Sequence, residues 1–333
     1  MHPVKLGGAL VKRMSILSSV SLLSDGSIPV DNKTIASIAF VVWVCSGLAL
    51  LAHEGGPQQY INRFGLYDLN PGGPTGITGA PGNADATVKQ IIYTVPQAGD
   101  GVFVTIGQSR ISNQSMSTAT QYTPTNGVKC LNLNPYDGNV YQLIDPVFGA
   151  TSYWGNPTGQ IGYHGQLCDS LINAGKYTRV FFIPTAQDGA SVADFLNGGI
   201  AFNRVTVPAQ WLTYLGWTPT AWLWQQGNAD CIAGMSQATY TADLRSVISY
   251  ERGLSGRSSD KWMIALDSIM NASGGTCSGI TAAQTAVGGD SNNFVGPNAN
   301  GLPTTDYDAT LHFNNTGNTA MSGLWSTKIQ ANF

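Results

Sequence analysis

The chain holds four histidines. His2 and His53 fall in or beside an N-terminal apolar stretch, which leaves His164 and His312 as the imidazoles able to serve as a base in a folded domain. His312 closes the segment Asp306-Tyr307-Asp308-Ala309-Thr310-Leu311-His312, with two carboxylates just behind it. His164, in Gly162-Tyr163-His164-Gly165, has no acidic neighbour. An imidazole oriented by a carboxylate is a general base for a hydroxyl nucleophile. Ser109 is the candidate hydroxyl. In Gly107-Gln108-Ser109-Arg110 it directly follows the apolar run VFVTI, and Gly107 allows a sharp bend that exposes the hydroxyl and leaves the serine amide free to donate. Such groups could transfer an acyl group to serine and then to water. Taken singly, each motif reads more readily as an ordinary turn or a structural histidine.

Acyl transfer also needs donors for the negative charge that develops on the carbonyl oxygen. Two further polar segments follow apolar runs: Thr185-Ala186-Gln187-Asp188-Gly189-Ala190-Ser191 after VFFIP, and Gln225-Gln226-Gly227-Asn228-Ala229-Asp230 after AWLW. The amide of a glycine such as Gly189, or side-chain amides of the second segment aimed into a cleft, could supply those donors. The second segment reads equally as a loop held by Asn and Asp self-capping.

The elements that position these residues follow from the apolar runs at 102–106, 180–184, 221–224 and 262–266, each short and bounded by turn residues. Runs of this kind are strands buried on both faces, as in a parallel sheet. Helices are expected at 165–174 and 241–253; in the latter, Leu244, Val247, Ile248 and Glu251 share one face, Thr241 is the expected N-cap and Gly253 lies beyond the end. The alternation implies an α/β fold, a three-layer α/β/α sandwich with a mostly parallel central sheet. Ligands of such sheets bind beyond the carboxyl ends of the strands, where the polar segments fall.

In order, these segments resemble the SGNH/GDSL hydrolases, in the branch of sialate O-acetylesterases and carbohydrate acetyl-esterases. That branch carries G-Q-S-N after a strand, a G-G-T-S loop, W-x-Q-G-E-x-D and a late D-x-x-H. Here Gly107–Arg110, Asp188–Ser191, Trp224–Asp230 and Asp308–His312 correspond, over roughly residues 100–325. The helix with Tyr250 and Arg252 resembles the segment after the third block. The resemblance implies an SGNH hydrolase fold of the flavodoxin-like kind and a serine esterase that removes O-acetyl groups from a glycan without metal or cofactor. Ser109 would be the nucleophile, His312 the base and Asp308 or Asp306 the orienting carboxylate. The Ser109 and Gly189 amides and the Gln226 side chain would hold the oxyanion, with Asn228 as a second side-chain donor. Tyr153, Trp154, Tyr163, Trp222 and Trp224 could offer stacking faces to a sugar, although Trp222 reads better as core. Several positions depart from the pattern: Arg110 stands for Asn, Asp188 for Gly, Phe195 for Trp, Asn228 for Glu and Ala309 for the expected Asp. A catalytically degenerate carbohydrate binder, or a surface or virion protein with an esterase-like fold, is the alternative.

Composition sets the setting. Of 333 residues, 43% are hydrophobic, enough for a sizeable core, and 11% are charged against about 25% in an average soluble domain. With 40 glycines, the surface must be neutral and loop-rich, as suits an extracellular protein. A net charge of −3 without a basic run argues against nucleic acid as a partner. Residues 35–52 (IASIAFVVWVCSGLALLA) form an uncharged stretch preceded by Lys and Arg, so 1–53 reads as a leader with a signal or membrane-anchor segment. Residues 54–98 read as a Gly/Pro-rich linker or approach, and 99–333 as the esterase domain. The remaining cysteines, Cys130, Cys168, Cys231 and Cys277, permit two disulfides in three pairings and show no zinc spacing.

Overall fold

The computed structural model describes residues 92–114, 119–135, 137–150, 161–271, 273–308 and 310–333. The expected leader, the apolar stretch 35–52, most of the 54–98 approach, Tyr153, Trp154 and Ala309 lie outside the described residues.

Among the described residues, seven strands form one sheet: β1 (Gly101–Gly107), β2 (Cys130–Leu133), β3 (Val140–Gln142), β4 (Val180–Pro184), β5 (Ala221–Gln225), β6 (Trp262–Leu266) and β7 (Asn293–Asn298). Their order is β3-β2-β4-β1-β5-β6-β7. Every pairing is parallel except β2 with β3. All four apolar runs are central strands, buried almost throughout, as expected for a parallel sheet covered on both faces.

Alternation along each strand divides the core in two. Val104 and Ile106 of β1, Phe181 and Ile183 of β4, and Trp222 and Trp224 of β5 face one side. There they meet α2 (Asn203–Leu215), α4 (Gln237–Ser255) and α5 (Ser278–Gly288). Phe103, Phe182, Leu223 and Met263 face the other, under α1 (His164–Asn173) and α6 (Asn315–Asn332). A short helix α3 (Asn228–Ile232) follows β5. Helices thus cover both faces, in the three-layer arrangement the strand and helix alternation predicts.

Two helical bounds differ from expectation. Helix α4 starts earlier, because the Ser236 hydroxyl rather than Thr241 caps it, accepting from the Thr239 amide at 3.1 Å. It also runs past Gly253, which is exposed and tolerated, to Gly256, whose left-handed φ of 68° ends it.

Two disulfides, Cys130–Cys168 and Cys231–Cys277, settle the pairing left open by the sequence. The first ties β2 to α1; the second ties α3 to the residue before α5. Residues 92–95, within the expected 54–98 approach segment, are fastened to the sheet: the Ile92 amide donates to the Val140 carbonyl of the edge strand β3, and Arg179, just before β4, donates to Thr94 Oγ1 and the Val95 carbonyl. No helix among the described residues is long and apolar enough to cross a membrane.

Candidate active site

Strand β1 lies between β4 and β5, where the chain order reverses across the sheet. Its carboxyl end is therefore the crevice in which an open α/β sheet binds ligands. Gly107 ends the strand with φ 146°, and a Cβ there would lie 2.1 Å from the Gln225 carbonyl oxygen, so the bend requires glycine. Gln108 secures the next turn: its amide donates to the Gln225 carbonyl, and its Oε1 accepts from the amides of Gly227 and Ala229. Ser109 then opens a short 3-10 turn over Ser109–Ile111. Neither its hydroxyl nor its amide has a hydrogen-bond partner among the described residues.

The loop after β4 runs beside this turn, with the Gln187 amide donating to the Gly107 carbonyl at 2.9 Å. Gly189 is left-handed at φ 67°, and its amide likewise donates to no acceptor among the described residues. Two adjacent loops thus present uncommitted main-chain N–H groups at one end of the sheet.

His312 arrives from the far end of the sequence on a hairpin closed by the Tyr307–Phe313 bridge. Asp308 Oδ1 accepts from the Thr310 amide at 2.8 Å, the Thr310 hydroxyl at 2.6 Å and the His312 amide at 3.1 Å. The Thr310 oxygen also lies 2.9 Å from His312 Nδ1. Leu311 sits at φ 70°, a conformation a branched residue seldom adopts, and it packs against the second core. Asp308 therefore reaches the imidazole through Thr310 and not directly, as its distance of one residue beyond the D-x-x-H spacing requires. Asp306 is buried below the hairpin, and its carboxylate makes no hydrogen bond to His312.

Arg110 joins the serine turn to the histidine hairpin. Its guanidinium lies 4.2 Å from the Phe313 ring centroid and 5.2 Å from that of Tyr307, and it pairs with Asp267 at 3.2 Å with both side chains buried. The residues following Ser109 and His312 are thus in direct contact. Ser109 Oγ and the imidazole do not hydrogen-bond to each other, and His312 Nε2 has no partner among the described residues. Burial lowers the His312 pKa below the usual histidine value; the Asp188 and Asp308 charges oppose that shift and the Arg110 charge adds to it. Hydrogen bonds from Thr310 and His312 hold the Asp308 carboxyl below the usual range, against the opposing effect of burial.

Two expected donors point elsewhere. Gln226 Nε2 donates to the Ala190 carbonyl and to Asp230, while Tyr240 donates to its Oε1. Asn228 Nδ2 donates to Asp267 Oδ1 at 3.0 Å and to the Ile269 carbonyl at 2.8 Å. With both amide hydrogens spent, neither side chain is free to meet a substrate oxygen, so Gln226 and Asn228 prop the loops and do not line the site. Gln226 in particular buttresses the Gly189 loop through Ala190. The aromatic expectation is corrected for Tyr163 and Trp224, which are fully buried in the core and present no face to a sugar, while Trp222 is core as expected. His164, the buried first residue of α1, is bonded to Thr105 Oγ1 at 2.8 Å, and desolvation lowers its pKa to about 3, so it stays neutral and structural.

A buried polar web beneath the serine was not visible in the sequence. Asp267, just past β6, accepts from Arg110, Asn228 and Gln225. Gln225 accepts from Tyr163, which accepts from Trp325 Nε1 at 2.9 Å. Its one sequence sign is an aspartate directly after an apolar strand, at the same end as the other polar segments. Among the described residues, no group of three or more His, Cys, Asp or Glu is placed to hold a metal ion.

Residues 100–329 match the family of carbohydrate esterases described as sialic acid-specific acetylesterases. No curated protein sequence matches the chain. A protein of known structure from Arabidopsis thaliana is similar in fold, with a TM-score of 0.55 at 18% identity, covering 71% of this chain and 99% of that one. A carbohydrate acetylesterase from Xanthomonas citri gives 0.47 at 12% identity, covering 68% and 54% of the two chains. An acetylxylan esterase from Geobacillus stearothermophilus gives 0.43 at 13%, covering 69% and 94%.

Proposed function

Because the chain belongs to the sialic acid-specific acetylesterase family of carbohydrate esterases, we propose that it removes O-acetyl groups from a glycan through an acyl-enzyme on Ser109. The observation that carries this reading is the pairing of an unengaged serine hydroxyl and amide with a histidine hairpin locked against the same turn by Arg110 and Phe313.

In the first half-reaction Ser109 Oγ attacks the acetyl carbonyl while His312 Nε2 takes its proton. The tetrahedral oxygen accepts from the Ser109 and Gly189 amides, donors that typically contribute about 3–4 kcal/mol each at the transition state. The imidazolium returns the proton to the sugar oxygen as the C–O bond breaks. Water then repeats the sequence on the acetyl-serine, with His312 again the base. Asp308 supplies the negative charge that favours the imidazolium. The acetyl group and the sugar leaving group rest on family membership. Two disulfides suit a protein folded in an oxidising, extracytoplasmic compartment, as a secreted enzyme or one anchored through residues 35–52.

Ser109→Ala is expected to abolish hydrolysis of p-nitrophenyl acetate while the melting temperature is kept, and a fluorophosphonate probe should label Ser109 in the unaltered protein. Turnover by the alanine variant would refute the nucleophile. A folded protein that neither labels nor turns over substrate would favour the degenerate-binder alternative. A screen of acetylated xylan, acetylated sialic acids and simple sugar acetates identifies the glycan.

A further inference from the structure

We propose that Thr310 is a positioning residue that relays the Asp308 charge to His312 through its hydroxyl, and this rests on the assignment of His312 as base. A hydroxyl has one hydrogen and two lone pairs. The Thr310 hydrogen is committed to Asp308 Oδ1 at 2.6 Å, the shorter of its two contacts. Towards His312 Nδ1, 2.9 Å away, the same oxygen can therefore only accept. Nδ1 must carry the hydrogen, which leaves the lone pair on Nε2, the nitrogen without a partner among the described residues. The tautomer a base needs is thus fixed by a threonine.

The alternative, a carboxylate bonded directly to the imidazole, is not what the hairpin offers. Oδ1 of Asp308 already accepts three hydrogen bonds, from the Thr310 amide and hydroxyl and from the His312 amide. Hydrogen bonds in series polarise one another, so the carboxylate makes the Thr310 oxygen a stronger acceptor when His312 becomes cationic. No proton need travel along the relay: the one that leaves Ser109 Oγ goes to Nε2 and from there to the departing sugar oxygen. The left-handed Leu311 belongs to the same device, since a turn at that residue brings the His312 amide to Asp308 while the ring meets Thr310. Backbone strain of this kind persists where the surroundings over-determine it.

Steady-state kinetics on p-nitrophenyl acetate test the relay. Thr310→Val keeps the shape and removes the hydroxyl; it should lower kcat by about 30-fold with KM changed less than about twofold. Thr310→Ser restores the hydroxyl and should stay within about threefold of the parent. The double variant Asp308→Asn with Thr310→Val should be no more than about threefold worse than the more damaging single variant, because both cut one line. The downfield proton resonance of the His312 Nδ1–H should shift in Thr310→Val and return in Thr310→Ser. A Thr310→Val enzyme with kcat within threefold of the parent, a Thr310→Ser enzyme as impaired as the valine variant, or additive losses in the double variant would each overturn the proposal. Ser109→Ala run alongside separates the two layers: its retained activity defeats the esterase reading itself, whereas an inert Ser109→Ala beside an unimpaired Thr310→Val defeats the relay alone.

Discussion

At the scale of single residues, the site is an arrangement of uncommitted atoms held by committed neighbours. His312 must be neutral to accept a proton, and its pKa lies below the usual histidine value of about 6.5. Activity should therefore hold into mildly acidic solution and fail as pH drops through that lowered value. Asp188→Asn removes a charge that raises the pKa, so the acid limb of the kcat/KM profile should move further down; a limb that moves up would contradict this electrostatic picture. Arg110→Met strands Asp267 without its cation in a buried position. Losing one partner of such a pair typically costs about 3–5 kcal/mol, and Asn228 and Gln225 still donate to Asp267, so a loss near the lower end is expected in urea unfolding. At this scale the sequence was informative where choice was scarce: four histidines left two candidates, and acidic neighbours distinguished them. It was uninformative where side-chain direction decides. Gln226 occurs where the family pattern places a donor and Asn228 where an amide replaces the family's glutamate, but rotamer and local backbone turn both amides inward, and nothing in residue type encodes that. Thr310 was hidden because one threonine among many carries no mark until the Asp308 turn closes around it.

At the scale of elements, strands were legible and loop geometry was not. Apolar runs such as VFFIP and WMIAL can bury themselves only between two layers, so their character as central strands followed from composition. Helix bounds were less legible, because Ser236 and Thr241 are both competent caps and the packing of Tyr240, buried in the first core, favours the earlier start. The decisive local feature is the end of β1. Gly107→Ala places a methyl group 2.1 Å from the Gln225 carbonyl at a φ that side chains resist. A loss of about 2–4 kcal/mol is expected, with esterase activity falling further than stability because the Ser109 turn must open; calorimetry and kinetics on one preparation measure both.

For the whole molecule, two terms tie stability to its surroundings. The two disulfides join residues 38 and 46 positions apart, and each closed loop is worth about 4 kcal/mol on chain-entropy grounds. Cys130 and Cys168 are fully buried, whereas Cys277 is only partly so. Graded reductant should therefore open Cys231–Cys277 first, as read by mass-tagging of the freed thiols. The second term is Glu251, buried in α4, where desolvation and then the Asp260 charge raise its pKa to about 8. Between the unfolded carboxyl value of about 4.5 and that raised value, the folded protein keeps a proton the unfolded chain releases. Its contribution to stability is thus greatest at the acid end of this window and declines as pH rises. The melting temperature should fall from pH 5 to 8.5, and Glu251→Gln should flatten that slope.

Arg110, 4.2 Å from the Phe313 ring centroid and 5.2 Å from that of Tyr307, couples the turn that carries Ser109 to the hairpin that carries His312 across about two hundred residues of chain. Events at one are then felt at the other. A phosphonate fixed on the serine should slow deuterium uptake at residues 302–307, on the Tyr307 side of the hairpin and away from the His312 ring, so occupancy of the Ser109 turn can be read as stiffness in the hairpin.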